Sequence, residues 1–257
     1  MKALTLCALL TPFAALAASP FDGTWVSKDE SQVMDKKPFA LSLDKGIWES
    51  HAQVPAIKVK ADGTDQAVKG HAAYDTVAVK VASADTVDIT VKKGGKVMGT
   101  NAITVSGDGK TLTNKWNDQS GSEAASGEIT YERVGAGHGF SGSWRALKTQ
   151  NTSANARTLT WQSTADGMSF STPTGQSYTA KFDGKEVPIA GDPSGTTVSL
   201  KKVSASAIVE TDHQMGKVVE VDHWNVAPDG KTMKIDWERK DSGRKGSLTF
   251  EKQSPTS

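Results

Sequence analysis

Glu210, Asp212, Glu220 and Asp222 alternate along one stretch of the chain. With a hairpin turn near Met215-Gly216-Lys217, Asp212 falls opposite Glu220 and Glu210 opposite Asp222. Like charges directly opposite one another destabilise a sheet unless water or a cation relieves them. The plainer reading is a solvated outer face, helped by the nearby Lys201 and Lys202. The sharper reading is a site for a cation or a basic ligand. Trp224 reads as inward, which conflicts with an outer carboxylate face in this register and would require a bulge.

His213 and His223 each follow an aspartate on the two arms of the same hairpin. In the expected register His213 faces roughly Val219 and His223 roughly Val209. That separation is too large for the two imidazoles to share a metal directly. His51, His71 and His138 show no ligand spacing either. No metal site and no cofactor are predicted, and no catalytic residue is assigned.

The seven tryptophans carry most of the remaining binding potential. Trp116 and Trp237 fall on inward-reading strands, where they would either line a cavity or fill it. Trp48 and Trp161 lie where the two halves of the chain are least alike, and Trp224 stands where the other half has Ile103. These five, Trp48, Trp116, Trp161, Trp224 and Trp237, are the candidate ligand-lining residues. Trp25 and Trp144 read instead as structural.

Enzymatic signatures are absent. The sequence has no G-x-S-x-G elbow, no H-E-x-x-H and no P-loop. Gly137, Gly139 and Gly142 match G-x-G-x-x-G, but that motif needs a helix after its glycines to meet a pyrophosphate. Here a strand follows. A triad assembled from distant residues is not excluded by motif searching, so a hydrolase or isomerase at a barrel mouth is the weakest of three readings.

The elements that must position these residues are strands. Val77, Val79 and Val81 alternate with polar neighbours, as do Val87, Ile89 and Val91, then Ile103 and Val105, then Ile129 and Tyr131. Period two marks strands with one face in a core. Gly94-Gly95, Asp62-Gly63, Asp108-Gly109 and Asp229-Gly230 supply hairpin turns. One short helix is predicted around Asp29 to Lys36.

The strands come in two sets. Phe21-Asp22-Gly23-Thr24-Trp25 returns as Phe140-Ser141-Gly142-Ser143-Trp144, and Asp108-Gly109-Lys110-Thr111-Leu112 as Asp229-Gly230-Lys231-Thr232-Met233. Each set closes alike, Gly127 to Arg133 against Gly246 to Lys252. Ordered matches at a fixed period mean duplication. The predicted organisation is a signal peptide over 1–18, a first β-barrel unit over 19–134, a Gly-rich linker over 135–139, a second unit over 140–253 and a polar tail over 254–257. About eight antiparallel strands per unit favour two tandem all-β, up-and-down barrels, which remove exposed sheet edges.

Lys2, the apolar run Ala3 to Leu16 and Ala15-Leu16-Ala17 form the signal pattern, with cleavage after Ala17 or Ala18. Cys7, the one cysteine, lies within it, so the mature chain is expected to carry no thiol. The chain has 30 Lys and Arg against 29 Asp and Glu. Losing Lys2 balances them, leaving no basic excess for nucleic acid or an anionic membrane. No transmembrane segment is predicted after signal cleavage.

At Gly23-Thr24-Trp25 and Gly142-Ser143-Trp144 the sequence resembles the calycin superfamily, which includes lipocalins and avidin-like proteins. The resemblance implies barrels opened by a Gly-x-Trp strand whose Trp plugs one end. It further implies a basic residue from the last strand lying across that Trp. Arg133 and Lys252 hold the comparable places, making Gly23, Trp25, Arg133, Gly142, Trp144 and Lys252 the barrel-closure set. The run from Asp62-Gly63 through Asp108-Gly109-Lys110-Thr111 also looks like exported bacterial proteins with one or more such units. That likeness implies a periplasmic setting and brings no activity. The leading expectation is a non-enzymatic protein holding a small apolar ligand in a barrel pocket. The alternative is a structural or interaction module of the cell envelope with an envelope protein as partner.

Overall fold

The computed structural model describes residues 19–254. The predicted signal over 1–18, Cys7 within it, and most of the 254–257 tail lie outside those residues. The period-two runs are strands, and the predicted helix after Asp29 is a single 3-10 turn, Asp29–Ser31. Val33 then makes an isolated antiparallel bridge to Ser247 in place of further helix.

Two nearly closed antiparallel sheets of ten strands each form two barrels. The chain begins with Gly23–Ser27 (β1). Then come Phe39–Asp44 (β2), Ile47–Ser50 (β3), Ile57–Lys60 (β4), Asp62–Ala67 (β5) and Thr76–Val81 (β6). Thr86–Lys93 (β7), Lys96–Val105 (β8), Thr111–Asp118 (β9) and Ala125–His138 (β10) complete the first repeat. The second repeat opens with Ser141–Gln150 (β11), Thr158–Ser163 (β12), Gly167–Ser171 (β13) and Ser177–Lys181 (β14). It continues through Val187–Pro188 (β15), Thr197–Lys202 (β16), Ala207–Gln214 (β17), Lys217–Val226 (β18), Thr232–Arg239 (β19) and Lys245–Lys252 (β20). The count exceeds the expected eight because short strands such as β15 complete each ring.

Repeat boundaries and barrel boundaries differ by one strand. The first barrel runs β4-β3-β2-β11-β10-β9-β8-β7-β6-β5, and the second runs β14-β13-β12-β1-β20-β19-β18-β17-β16-β15. Each repeat thus gives its Gly-x-Trp strand to the other repeat's barrel. The cause lies in the stretch 135–139, expected as a linker. β10 continues through His138, which pairs with Ser141, so β10 and β11 form a hairpin. Antiparallel strands joined so tightly must be sheet neighbours. β11 therefore takes the place beside β10 that β1 would otherwise occupy. β1 pairs instead with β20 and β12.

The cores follow the sheets. Phe21 and Trp25 pack with Leu159, Trp161 and Phe250, whereas Phe140 and Trp144 pack with Leu41, Trp48 and Leu112. Trp25 and Trp144 are fully buried. Their indole N–H groups donate to the carbonyls of Phe21 (2.7 Å) and Phe140 (2.9 Å). The cations above them are exchanged as well. The Arg133 guanidinium lies 4.1 Å from the Trp144 ring, and Lys252 Nζ lies 5.0 Å from the Trp25 ring. Gly142 (φ +149°) and Gly23 (φ +128°) make room for them. A Cβ at Gly142 would sit 2.5 Å from Arg133 Nη1, and one at Gly23 would sit 2.9 Å from Lys252 Cε. The Gly-x-Trp pattern is a floor tryptophan and the clearance for its cation.

The rings close by different means. In the first barrel the Gln66 side chain bridges the seam between β4 and β5, accepting from Lys60 N–H and donating to Lys60 C=O, both at 2.8 Å. In the second, Ser177 and Ala190 exchange backbone hydrogen bonds of 3.0 and 2.8 Å. Neither seam leaves a free edge strand of the kind that invites association.

Candidate functional site

The first barrel encloses a cavity of about 280 Å³. Leu41, Trp48, Ile57, Val77, Ile89, Val91, Ile103 and Leu112 supply its apolar wall. Phe39 and Tyr131 close part of it with an edge-to-face contact at 5.2 Å. The polar groups are few: Ser50, Gln53, Tyr74, Asn101 and Asn114. Asn114 Nδ2 donates to Asn101 Oδ1 at 3.0 Å, while the buried Asn114 Oδ1 has no partner. Burial pushes both the Tyr131 and Tyr74 phenols up to about 12, so each stays a neutral hydroxyl. Tyr74 stacks on His71 at 4.7 Å and shares a 3.1 Å hydrogen bond with its Nδ1.

Ala52, Gln53 and Tyr74 also line a second space of about 440 Å³, shared with Gln214, Trp237, Arg239 and Arg244 of the other barrel. Arg244 reaches across to the first barrel. Its guanidinium lies 5.8 Å from the Phe39 ring, and its Nη1 donates to Lys37 C=O at 2.9 Å. The mouth of the cavity therefore faces the hairpin tips of its neighbour.

Strand registers align the two barrels residue by residue, and the alignment explains why the cavity lies in the first. Leu41 pairs with Gly142 as Trp161 pairs with Gly23. Onward from there, Ser50 corresponds to Phe170 and Ile57 to Tyr178. Ile103 opposes Val87 as Trp224 opposes Ile208. At all four positions the second barrel carries the bulkier, aromatic side chain. Trp161 touches Phe170 (5.0 Å), Tyr178 (6.0 Å) and Trp224 (5.3 Å) in edge-to-face contacts, filling the space.

The carboxylates lie inside the second barrel, not on its outer face. Glu210 does oppose Asp222, and Asp212 does oppose Glu220. Yet residues 220, 222 and 224 share one face of β18, and buried Trp224 sets that face inward. No bulge separates Trp224 from the carboxylates; the irregularity falls at Asp212/His213. Glu210 and Asp222 are 7% and 9% exposed. Lys201 and Lys202 are exposed, and Lys202 lies over the Phe182 ring.

Burial raises all four acids, and repulsion from the others adds to it at Glu210, Asp212 and Asp222. Asp212 is pushed up to about 7 and Asp222 to about 8, with Glu210 well above its ordinary range and Glu220 raised. The Tyr178 hydroxyl donates to Glu210 Oε2 at 2.6 Å. Arg239 lies 3.6 Å from Glu220 but forms its closer pair, 2.7 Å, with Asp241.

His223 faces Val209 and is exposed, whereas the bulge moves His213 opposite Val218. His213 Nε2 lies 3.8 Å from Glu186. Of the five candidate tryptophans, Trp48 lines the cavity, Trp161 and Trp224 fill the second core, and Trp116 and Trp237 border spaces near the barrel mouths. The cavity residues Val77, Val91, Ile103 and Leu112 were legible as inward from period two. Phe39, Leu41 and Ser50 fall where the repeats are least alike, and only the paired registers place them.

The chain is a tandem pair of antiparallel β-barrels, the first with an interior cavity and the second packed with aromatic side chains at the equivalent positions. No family model matches the chain, and no curated protein matches it.

Proposed function

We propose that this is a non-enzymatic exported protein, of the bacterial periplasm, whose first barrel holds a small and mainly apolar ligand. The observation that carries the reading is the 280 Å³ cavity and its one orphaned acceptor, Asn114 Oδ1. Ligand sites combine an apolar wall with a few polar groups that fix orientation. The volume sits at the small end of such sites, so the ligand is of fragment size. A hydroxyl or amine on it would satisfy Asn114, since a buried acceptor left unpaired costs about 1–3 kcal/mol.

The envelope-module alternative calls for a contiguous exposed apolar patch. Met215 and Val218 share the tip of one hairpin, but the other exposed apolar residues, Val33, Val54, Val81, Leu147 and Val203, lie on separate strands and loops, and support it less.

Native mass spectrometry of protein purified from its own host tests the proposal. A retained small molecule, released by Asn114→Leu or by filling the cavity, is the expected result. Ligand-free protein that also fails to bind a panel of small aromatic alcohols and amines by calorimetry would sink it.

A further inference from the structure

The second barrel differs from the first in charge as well as in volume. Where it carries Glu210, Asp212 and Asp222, the equivalent register positions of the first barrel hold Ile89, Val91 and Asn101. The fold itself therefore has no need of acids there. One carboxylate oxygen from each of the three lies within 4.8 Å of the other two. Three atoms so spaced share a centre about 2.8 Å or less from each, and a small inward movement reaches the 2.3–2.6 Å of calcium–oxygen bonds. Magnesium demands a near-ideal octahedron and usually keeps several waters, which the interior of a barrel supplies less readily.

A second observation points to a missing partner at this triangle. Here Asp222, nine-tenths buried, has Oδ1 without any hydrogen-bond partner, and Asp212 Oδ1 is likewise unpartnered. Tyr178 satisfies one oxygen of Glu210, and Arg239 is engaged by Asp241 and Glu220. Buried carboxyls are costly to ionise alone, and a cation bound to their free lone pairs would offset that cost. All-oxygen donors select a hard one.

We propose that Glu210, Asp212 and Asp222 form a calcium site inside the second barrel. The ion would join β17 to β18, with Tyr178 holding Glu210 in place from β14. This site is separate from the ligand cavity, and neither reading depends on the other.

The test uses the full mature chain, stripped with EDTA and held at pH 8.5 so that protons do not compete. Terbium, a luminescent calcium mimic, should show emission sensitised by the tryptophan core, with Trp224 two residues beyond Asp222 on the same face. Calcium should displace it, bind at one ion per chain in calorimetry and raise Tm by several degrees. Asp222→Asn and Asp212→Asn should each weaken calcium binding at least tenfold. The wild-type terbium signal keeps the test decisive if a variant misfolds. No sensitised emission and no calcium-dependent Tm shift would overturn the site. So would binding that survives both substitutions, or a response to magnesium without one to calcium.

Discussion

Replacing Trp144 by alanine tests the strand exchange, because Trp144 belongs to the second repeat in sequence and to the first barrel in space. Its side chain is fully buried, its indole N–H bonds Phe140 C=O at 2.9 Å, and Arg133 lies 4.1 Å above the ring. Truncating a buried Trp to Ala costs about 3–5 kcal/mol, and the cation over its face contributes about 1 kcal/mol within that total. Against a typical domain stability of about 5–15 kcal/mol, one barrel loses a large share of its margin. Local opening should then be about 10² to 10⁴ times more frequent in that barrel. Hydrogen exchange read by mass spectrometry locates the effect. Peptides covering β6 to β9, including Val77, Val79, Val87 and Ile103, should lose protection by that factor. Peptides covering β16 to β19 should change by only a few fold. Trp25→Ala should give the mirror image. If Trp144→Ala deprotects β16 to β19 and spares β6 to β9, the exchange is wrong.

Cutting the chain between its repeats gives a related test. Residues 19–134 and 140–253, made separately, each carry a Gly-x-Trp strand that belongs to the other barrel. The cut removes the β10–β11 hairpin and frees β1 to sit beside β10 and β11 beside β20, so light scattering should show each piece alone as a monomer; pieces that fold only as a 1:1 complex would contradict the hairpin's role in the exchange. Leu41→Trp combined with Ile103→Trp copies the filled interior of the second barrel, and should abolish ligand retention while keeping the strand signature in circular dichroism. Unchanged retention would place the ligand elsewhere. The buried acids also predict a pH dependence for metal-free protein. Their folded values, about 7 for Asp212 and about 8 for Asp222, lie above the ordinary carboxylate range. The native state therefore holds protons that the unfolded chain has released, and stability falls as pH rises from about 4 to about 8. Melting curves with EDTA across that window should show falling Tm, with a shallower slope in Asp222→Asn; a rising Tm would refute the burial argument.

An all-β chain of two copies was legible from the residues, because period-two alternation and repeated Asp-Gly turns need only local geometry. The same residues anticipated the Glu210–Asp222 and Asp212–Glu220 pairings from a turn over Met215-Gly216-Lys217, whereas the folded hairpin reaches them by a two-residue turn at Met215-Gly216 and a bulge at Asp212/His213. Tertiary structure alone decided which barrel each Gly-x-Trp strand enters. Alternation tells a strand which face to bury and is silent on its neighbour, and β1 and β11 are nearly the same strand. The hairpin at Gly139-Phe140 makes the choice by holding β11 against β10. The direction of the carboxylates was decided in the same way. Solvation argues for pointing Glu210 and Asp222 outward, but they share a face with Ile208 and Trp224, and burying that face carries the acids inside with it.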